Sequence, residues 1–313
     1  VGVDSVELFI NGAKWQNLNY RQENILYYVT WVTTLIRDGI YIIDVRVWDE
    51  SGNMGSCGVV MLTVRNNVPR VLWVPDDYQT IQGAINASRD GDTVRVMAGT
   101  YREGVRLMGK KIWLESEQGP EMTMINGSGW NDGVLCRGTS EAGSPTVRGF
   151  CIKGEVTGAQ VLESVAVSFY NCIFSGWRRV DDGMYGVFIG RGDSRIINCV
   201  IFDCFIGLHV RDNDGDVRNT IFLNNALAYN NVMYWQTWFK HDYNLFWYND
   251  ADYREEEPSQ NDLFVNPLLV TNRFILSEDS PAINAGDPTI SDLDNSRSDI
   301  GVYGGPYAYQ TNR

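Results

Sequence analysis

Short runs of alternating apolar and polar residues open the chain and predict β-strands. In residues 40–48, every second side chain from Tyr41 to Val47 is expected to face a core. Turn signals such as Asn11-Gly12 separate these runs. The predicted strands are 3–10, 25–34, 40–48 and 59–64. The pattern indicates a small all-β module over residues 1–67.

After residue 75 the pattern becomes a repeat. A short amphipathic helix is predicted over 78–87, and a second strand recurs 21 residues apart, at Gly186-Val187-Phe188-Ile189 and Gly207-Leu208-His209-Val210. Four segments align on an asparagine, namely Asn171, Asn198, Asn219 and Asn244, and 149–152 fits the same position. A drifting period in the low twenties, made of short strands and turns, is typical of a solenoid.

A parallel β-helix explains this repeat, because each coil then pairs with the next one about 4.8 Å away. Equivalent residues form columns along the axis, and the four asparagines are expected to stack at a corner with their amides bonded along it. The predicted inward columns are Phe150, Cys172, Cys199, Thr220 and Leu245, and then Ile152, Phe174, Ile201, Phe222 and Trp247.

The predicted fold class is all-β, a parallel β-helix preceded by a small sandwich. The expected parts are a sandwich over 1–67, a linker or first strand over 68–75, a β-helix with an N-terminal capping helix over 76–260 and a closing segment over 261–313. Terminal coils have unpaired edges, so both ends need a cover.

Two stretches resemble the pectin-lyase-like right-handed β-helix superfamily. VPDDYQTIQGAINASRDGDTVRVMAGTYREGV, at 74–105, is similar to the opening segment of pectinesterase-like and many secreted members. NPLLVTNRFILSEDSPAINAGDPTISDLDNSRSDIGVYGG, at 266–305, is similar to the closing segment of those secreted proteins. The resemblance spans about residues 71–307 and implies a right-handed parallel β-helix on an exported protein, outside the cell or at its surface.

Residues 1–67 resemble the immunoglobulin-like modules of bacterial and archaeal surface proteins, most clearly at 38–53. Such modules usually have about seven strands, whereas about five are predicted here. We therefore expect the first strands to be missing, whether deleted, unresolved or supplied by another molecule. A missing strand leaves an unpaired edge and an apolar slot, which a strand from a second copy fills in donor-strand complementation.

Composition narrows the function. Lys plus Arg is 26 and Asp plus Glu is 39, a net charge of -13, which argues against nucleic-acid binding. No apolar run reaches the roughly 18 residues of a membrane span. His209 and His241 lie in no zinc motif, and the six cysteines lack CxxC spacing, so a structural role is expected for most of them.

The catalytic motifs of pectinesterase-like and polygalacturonase-like enzymes are absent or incomplete. A pectate-lyase-like elimination needs calcium on the uronate acid groups and an arginine that removes the proton at C5. The candidate catalytic residues are Arg178, Arg179, Asp181, Asp182, Arg191 and Asp193. The alternative for this cluster is an ordinary solvated loop.

Calcium and carbohydrate sites are also predicted. Alternating carboxylates around turns suit calcium, and exposed aromatic rings suit sugars or a partner protein. The candidate calcium ligands are Asp212, Asp214, Asp216, Asp292, Asp294 and Asp299. The candidate carbohydrate or partner residues are Trp235, Trp238, Tyr243, Trp247 and Tyr248. The alternatives are polar turns and aromatic filling of the last coils.

Three functions remain open from the sequence. The first is a non-enzymatic surface protein that assembles with copies of itself or with neighbouring surface proteins through the incomplete sandwich. The second is a polysaccharide-acting enzyme, a calcium-dependent uronate lyase or an esterase. The third is a carbohydrate-binding or adhesive module.

Overall fold

The chain divides into two compact units, Val1–Val68 and Pro69–Arg313. The structure, a computed structural model, describes residues 2–66, 68–138, 144–163, 165–176, 184–232, 238–254, 256–270 and 273–310. Across these ranges the units are built of β-strands, with one α-helix, α1 (Ile81–Ala87). None of the described helices is long and apolar enough to cross a membrane.

The first unit contains an antiparallel sheet in the order β2-β1-β5-β6 and a separate pair, β3-β4. The strands are β1 (Val3–Ile10), β2 (Ala13–Asn17), β3 (Asn19–Arg21), β4 (Leu26–Tyr28), β5 (Gly39–Asp49) and β6 (Met54–Val64). Leu8 lies opposite Val45, so their side chains share the face predicted for a core. The arrangement is compatible with a small sandwich, and the immunoglobulin-like assignment stays a prediction.

The strand predicted over 25–34 is wrong in most of its length. Only Leu26–Tyr28 is extended, and Thr33–Leu35 forms a 3-10 turn. Ile25 has a positive φ of 52° and is exposed, which places it at a turn rather than in a strand. A run of apolar residues predicted a strand here because period alone cannot distinguish a strand from an apolar loop.

The second unit is a parallel β-helix of seven coils, and each coil passes through sheets A, B and C in turn. Sheet A contains β7 (Val71–Val74), β8 (Thr93–Val96), β11 (Trp113–Ser116), β14 (Thr146–Arg148), β17 (Ser168–Tyr170), β20 (Arg195–Ile197), β23 (Asp216–Arg218) and β26 (Lys240–Asp242). Sheet B contains β9 (Gly99–Tyr101), β12 (Thr123–Gly127), β15 (Cys151–Gly154), β18 (Ile173–Ser175), β21 (Val200–Phe202), β24 (Ile221–Leu223) and β27 (Leu245–Trp247). Sheet C contains β10 (Val105–Met108), β13 (Asp132–Gly138), β16 (Thr157–Glu163), β19 (Tyr185–Ile189), β22 (Ile206–Arg211), β25 (Leu227–Val232) and β28 (Ala251–Arg254). The β-helix predicted from the repeat is confirmed.

The predicted inward columns are correct until the last coil, where they shift by one residue. Strand pairing places Leu245 opposite Ile221 and Phe246 opposite Phe222. Phe246 therefore continues the buried column, and Trp247 lies on the outside, so the predictions for Leu245 and Trp247 are wrong. The left-handed corner falls on Tyr243, with φ 56°, rather than on Asn244. Aligning by residue type missed this, because the turn conformation sets the register.

Three of the four corner asparagines do not bond along the axis as predicted. Asn171, Asn198 and Asn219 all have φ between 51° and 53°, a left-handed conformation that asparagine tolerates. Their amides instead bind the backbone of a later segment. Asn171 Nδ2 donates to Val302 O at 2.9 Å, and Asn198 Nδ2 donates to Asp299 O at 2.8 Å.

Bonding along the axis occurs at Asn244, as predicted, and at two asparagines that were not predicted. Asn225 Oδ1 accepts from Cys204 N at 3.0 Å, and Asn249 Oδ1 accepts from Asn225 N at 2.9 Å. Asn244 Oδ1 accepts from Thr220 N at 3.1 Å in the same way. Each of these amides satisfies a backbone group at a corner, where the sheet ladder is interrupted.

Glycines in sheet C reflect close coil packing. A Cβ on Gly158, Gly186 or Gly207 would lie 2.5–2.6 Å from the carbonyl oxygen of the next coil. No side chain fits at that distance, so these three positions require glycine, and the row continues with the small residue Ala228 in the next coil. Coil packing therefore explains why the recurring strand begins with a glycine, at Gly186 and again at Gly207.

The N-terminal end of the β-helix is covered by α1, as the sequence predicts. Ile81, Ala84 and Ile85 are buried against the first coil, and Thr80 caps the helix by accepting from Gly83 N at 3.0 Å. Lys110 Nζ donates to Ile85 O and to two further carbonyls at the other end of the helix.

The C-terminal tail, defined as residues 265–310, covers a side of the β-helix. Before it, Leu263 bridges to Leu245 and closes the last coil. The tail then runs back along the outer face of sheet B, and Tyr309 donates to Ser116 O at 2.6 Å near the first coils. A second apolar cluster lies beneath it and contains Ile173, Val200, Ile221, Leu245, Leu276, Ala282, Ile300 and Val302.

Replacing Asn198 by Gly should loosen the tail. Glycine keeps the left-handed backbone, as Gly149 does two coils earlier in the same column, but loses the amide bonds to the tail. We expect the free energy of unfolding to fall by about 1–3 kcal/mol, since each buried hydrogen bond contributes about 1 kcal/mol. Urea unfolding measures the loss, and limited proteolysis should cut the tail sooner.

Asn224→Gly is the matched control. Asn224 has the same left-handed backbone, φ 53°, but its half-buried side chain bonds to Asp203. We expect a loss below about 1 kcal/mol and unchanged proteolysis of the tail. Equal effects of the two variants would contradict the role assigned to Asn198.

Candidate functional site

The outer face of sheet C presents a row of large and polar side chains. Sheet pairing places them side by side in successive coils, with one residue from each strand. The row is Arg106, Leu135, Gln160, Phe188, His209, Asn230 and Arg254. Its centre is aromatic and its two ends are basic.

Three rings form the centre of this face. The rings of Phe188 and His209 stack with centroids 5.2 Å apart and planes 11° apart. Tyr185 contacts both, at 5.5 Å and 5.1 Å. The Arg211 guanidinium lies 5.5 Å from the centre of the Phe188 ring, in a cation–π contact. The result is an aromatic cluster edged by positive charge, in which Phe188 is buried and Tyr185 and His209 are partly exposed.

His209 is a neutral donor in this surface. Burial, together with the charges of Arg211 and Arg254, lowers its pKa to about 4. Asn230 Nδ2 donates to His209 Nδ1 at 2.8 Å. Because Nδ1 accepts, the neutral ring carries its proton on Nε2. Sequence reasoning gave this histidine no role, although its alignment with Phe188 in the recurring strand was the signal that placed them together.

A cavity of about 510 Å³ adjoins the rings where the sheet C strands end. Its lining carries three arginines against two carboxylates, a local positive charge in a chain of net charge -13. Arg137 Nε donates to Glu163 Oε1 at 2.5 Å across its rim. The lining residues are Arg137, Leu162, Glu163, Gly190, Arg191, Arg211 and Asp212.

The predicted catalytic residues fall in two groups. Arg178, Arg179, Asp181 and Asp182 lie outside the described residues. Arg191 lines the cavity, whereas Asp193 is exposed beside Arg195 at 3.9 Å. Arg137 and Arg211 complete the basic lining and were not predicted, because the coils that carry them are far apart in sequence.

The carboxylates of 212–216 are distributed over different surroundings. Asp212 lines the sheet C cavity. Asp214 Oδ1 accepts from Trp238 N at 3.0 Å, and Asp216 forms an ion pair with Arg218. Each of these three side chains therefore has a different environment rather than a common metal position.

The carboxylates of 292–299 are closer together and line a cavity of about 410 Å³ in the tail. Asp292 accepts from Asp299 N at 3.1 Å, and Asp294 accepts from Ser296 N at 2.9 Å. Burial raises the pKa of Asp292. Within the described ranges, no group of three or more His, Cys, Asp or Glu side chains is placed to hold a metal ion. The calcium site stays a prediction.

The predicted aromatic run lies away from the rings of sheet C. Trp235 is outside the described residues. Trp238 is 77% exposed beside sheet A, and Tyr248 is 72% exposed next to Trp247 at the end of sheet B. The Tyr243 ring lies 5.5 Å from the Arg297 guanidinium. These side chains thus occupy several surfaces.

The cysteines are unpaired thiols, and Cys136, Cys172, Cys199 and Cys204 are buried. Burial raises the pKa of Cys136 to about 12, so its thiol stays protonated at neutral pH. The core role expected for most cysteines agrees with this burial.

Comparison with known proteins adds no assignment of function. No protein-family model matches the chain, and no curated protein is significantly similar to it. The chain is similar to a pectin methylesterase solved with a hexasaccharide (11% identity, TM-score 0.42, 62% of this chain and 68% of that one). It is also similar to the carrot pectin methylesterase (13%, 0.35, 59% and 74%) and to the Yersinia enterocolitica family 28 exopolygalacturonase (10%, 0.27, 78% and 64%). Likeness at this level carries no argument about substrate or reaction, whereas the strand pairing alone establishes the parallel β-helix.

The pKa of His209 predicts an acid-sensitive stability. Between pH 6.5 and about 4 the unfolded chain binds a proton at this ring and the folded chain does not, so stability falls as the pH is lowered. His209→Gln should reduce this acid-induced loss in the free energy of unfolding by about 1–2 kcal/mol. This is less than the pKa shift of His209 alone implies, because the ring is partly solvated. Urea unfolding at several pH values measures it. An imidazole that titrates near pH 6.5 in the folded protein, seen by NMR, would contradict the assignment.

Proposed function

We propose that this protein is exported and binds an acidic polysaccharide on the outer face of sheet C. The observation that carries the proposal is the stacked Phe188–His209 pair beside a cavity lined by three arginines. Aromatic rings pack against the apolar faces of sugars, and guanidinium groups bind carboxylates in a bidentate manner. A flat parallel sheet supports both on a rigid surface.

The neutral state of His209 fits this role. A neutral ring with its proton on Nε2 can donate a hydrogen bond to a sugar oxygen, while its stack on Phe188 holds the ring in place. The positive charge needed for an acidic polymer is supplied by Arg137, Arg191 and Arg211. An acidic protein that binds an acidic polymer requires such a local reversal of charge.

Elimination chemistry is the reaction that these residues suit best. Arg191 and Arg211 line the cavity, where an arginine would remove the proton at C5. The carboxylates of Asp212 and Glu163, together with those of the polymer, would bind calcium. Incubation with polygalacturonate and calcium, followed by the absorbance of unsaturated products, distinguishes a lyase from a binding protein. If no uronate polymer gives a product, the lyase activity is ruled out and only the binding function is retained.

Arg211→Ala should weaken binding of polygalacturonate by about tenfold or more, because a charged hydrogen bond is worth about 1.5–3 kcal/mol. Isothermal titration calorimetry measures the affinity, which should also fall with added salt. Arg102→Ala is the control, since Arg102 is an exposed arginine outside the cavity. Equal affinity for a neutral polymer such as amylose, or no effect of Arg211→Ala, would refute the proposal.

Self-association is a second candidate function, favoured by the edge strand β6. Charged residues and proline normally protect a sheet edge from pairing with another chain. This edge strand has 11 residues and contains neither. Val59, Val60 and Met61 are exposed, Met61 to 75%. An antiparallel pairing of β6 with β6 of a second copy would continue the sheet across a twofold axis.

Met61→Lys should abolish this association, because it places two like charges across the paired edges. Sedimentation velocity over a range of concentrations measures the oligomeric state, and electron microscopy shows any filament. Leu293→Lys adds the same charge at an exposed leucine of the other unit and should change nothing. A wild-type protein that stays monomeric at every concentration would rule out this function.

A further inference from the structure

A third cavity, of about 410 Å³, lies on the outer face of sheet A at its C-terminal end. It is formed by the strands β23 and β26 and by Asp287 of the C-terminal tail. Its lining residues are Asp216, Arg218, Phe239, Lys240, His241, Asp242 and Asp287. None of these belongs to the lining of the sheet C cavity, so the two sites are separate.

One buried acceptor atom in this cavity has no hydrogen-bond partner among the described residues. Arg218 bridges two carboxylates, with Nη1 donating to Asp287 Oδ2 at 2.7 Å and Nη2 donating to Asp216 Oδ2. Asp216 Oδ1 makes no hydrogen bond with the described residues, although the Asp216 side chain is only 10% exposed. An unsatisfied buried acceptor calls for an unseen donor.

A lysine lies beside that acceptor, and an exposed tryptophan precedes the lysine in the chain. Lys240 pairs with Asp216 in the adjacent strand, and its ammonium makes no hydrogen bond or ion pair with the described residues. Trp238 precedes it by two residues and is 77% exposed, whereas Phe239 between them is buried. Lys240 is exposed as well, and the bond from Trp238 N to Asp214 Oδ1 at 3.0 Å holds Trp238 beside the segment that leads into β23.

We infer that this cavity binds a neutral oligosaccharide. A sugar hydroxyl donates to Asp216 Oδ1 and a neighbouring hydroxyl accepts from Lys240, while the Trp238 indole stacks on a ring. An anion would face the carboxylates of Asp216, Asp242 and Asp287, and a metal ion would face Arg218 and Lys240. Hydroxyl groups, which both donate and accept, suit this mixture without leaving a buried charge unpaired.

The inference does not depend on the proposed function, and the test separates them. Maltohexaose, cellohexaose and xylohexaose are titrated calorimetrically against the full chain. We expect at least one to bind, with affinity lowered at least tenfold by Trp238→Ala and by Lys240→Ala. Both residues are exposed, so these variants should fold normally, which circular dichroism checks.

Two controls define the site. Trp130→Ala removes another exposed tryptophan, and Arg211→Ala alters only the sheet C cavity, so both should leave binding of the neutral hexasaccharide unchanged. Binding that is lost in Arg211→Ala, binding that survives both Trp238→Ala and Lys240→Ala, or no binding of any of the three sugars would overturn the inference.

Discussion

The pairing of each coil with its neighbours supports everything else in the second unit. Most strands of sheets A and B are only three or four residues long, and a parallel strand has no hydrogen-bond partner within its own coil. A single coil therefore cannot be stable, and stability comes from stacking coils in register. Register fixes which side chains align, so the buried Ile152–Phe174 column, the row of glycines in sheet C and the Phe188–His209 stack all follow from one constraint.

The corners show how a local conformation becomes a tertiary contact. A left-handed residue is needed where sheet A turns into sheet B, and asparagine supplies it at Asn171, Asn198 and Asn219. The same backbone turn directs the amide outward, where it binds the C-terminal tail. The tail thereby covers the apolar outer residues of sheet B, which would otherwise be exposed.

Most of the fold can be read from the sequence, and little of the site can. The repeat, the capping helix and the first inward columns follow from spacing, because the corner from sheet A to sheet B recurs without insertions. The shift at Tyr243 escapes a residue-by-residue alignment, since only the backbone conformation reveals it. Arg137 and Arg211 line one cavity from strands three coils apart, and the unpaired Asp216 oxygen depends on side-chain geometry. Neither has a signature within a short window of sequence.

The lengths of the connections explain why sheet C carries the chemistry. In the last five coils two residues always join sheet A to sheet B, since the tail packs on that corner and an insertion would displace it. Connections into and out of sheet C range from two to nine residues. Arg191 follows β19 in one of them, and Asp212 follows β22 in another. Variation is tolerated where no tail must fit, so the face bordered by variable segments is the one that can acquire a binding surface without loss of the β-helix.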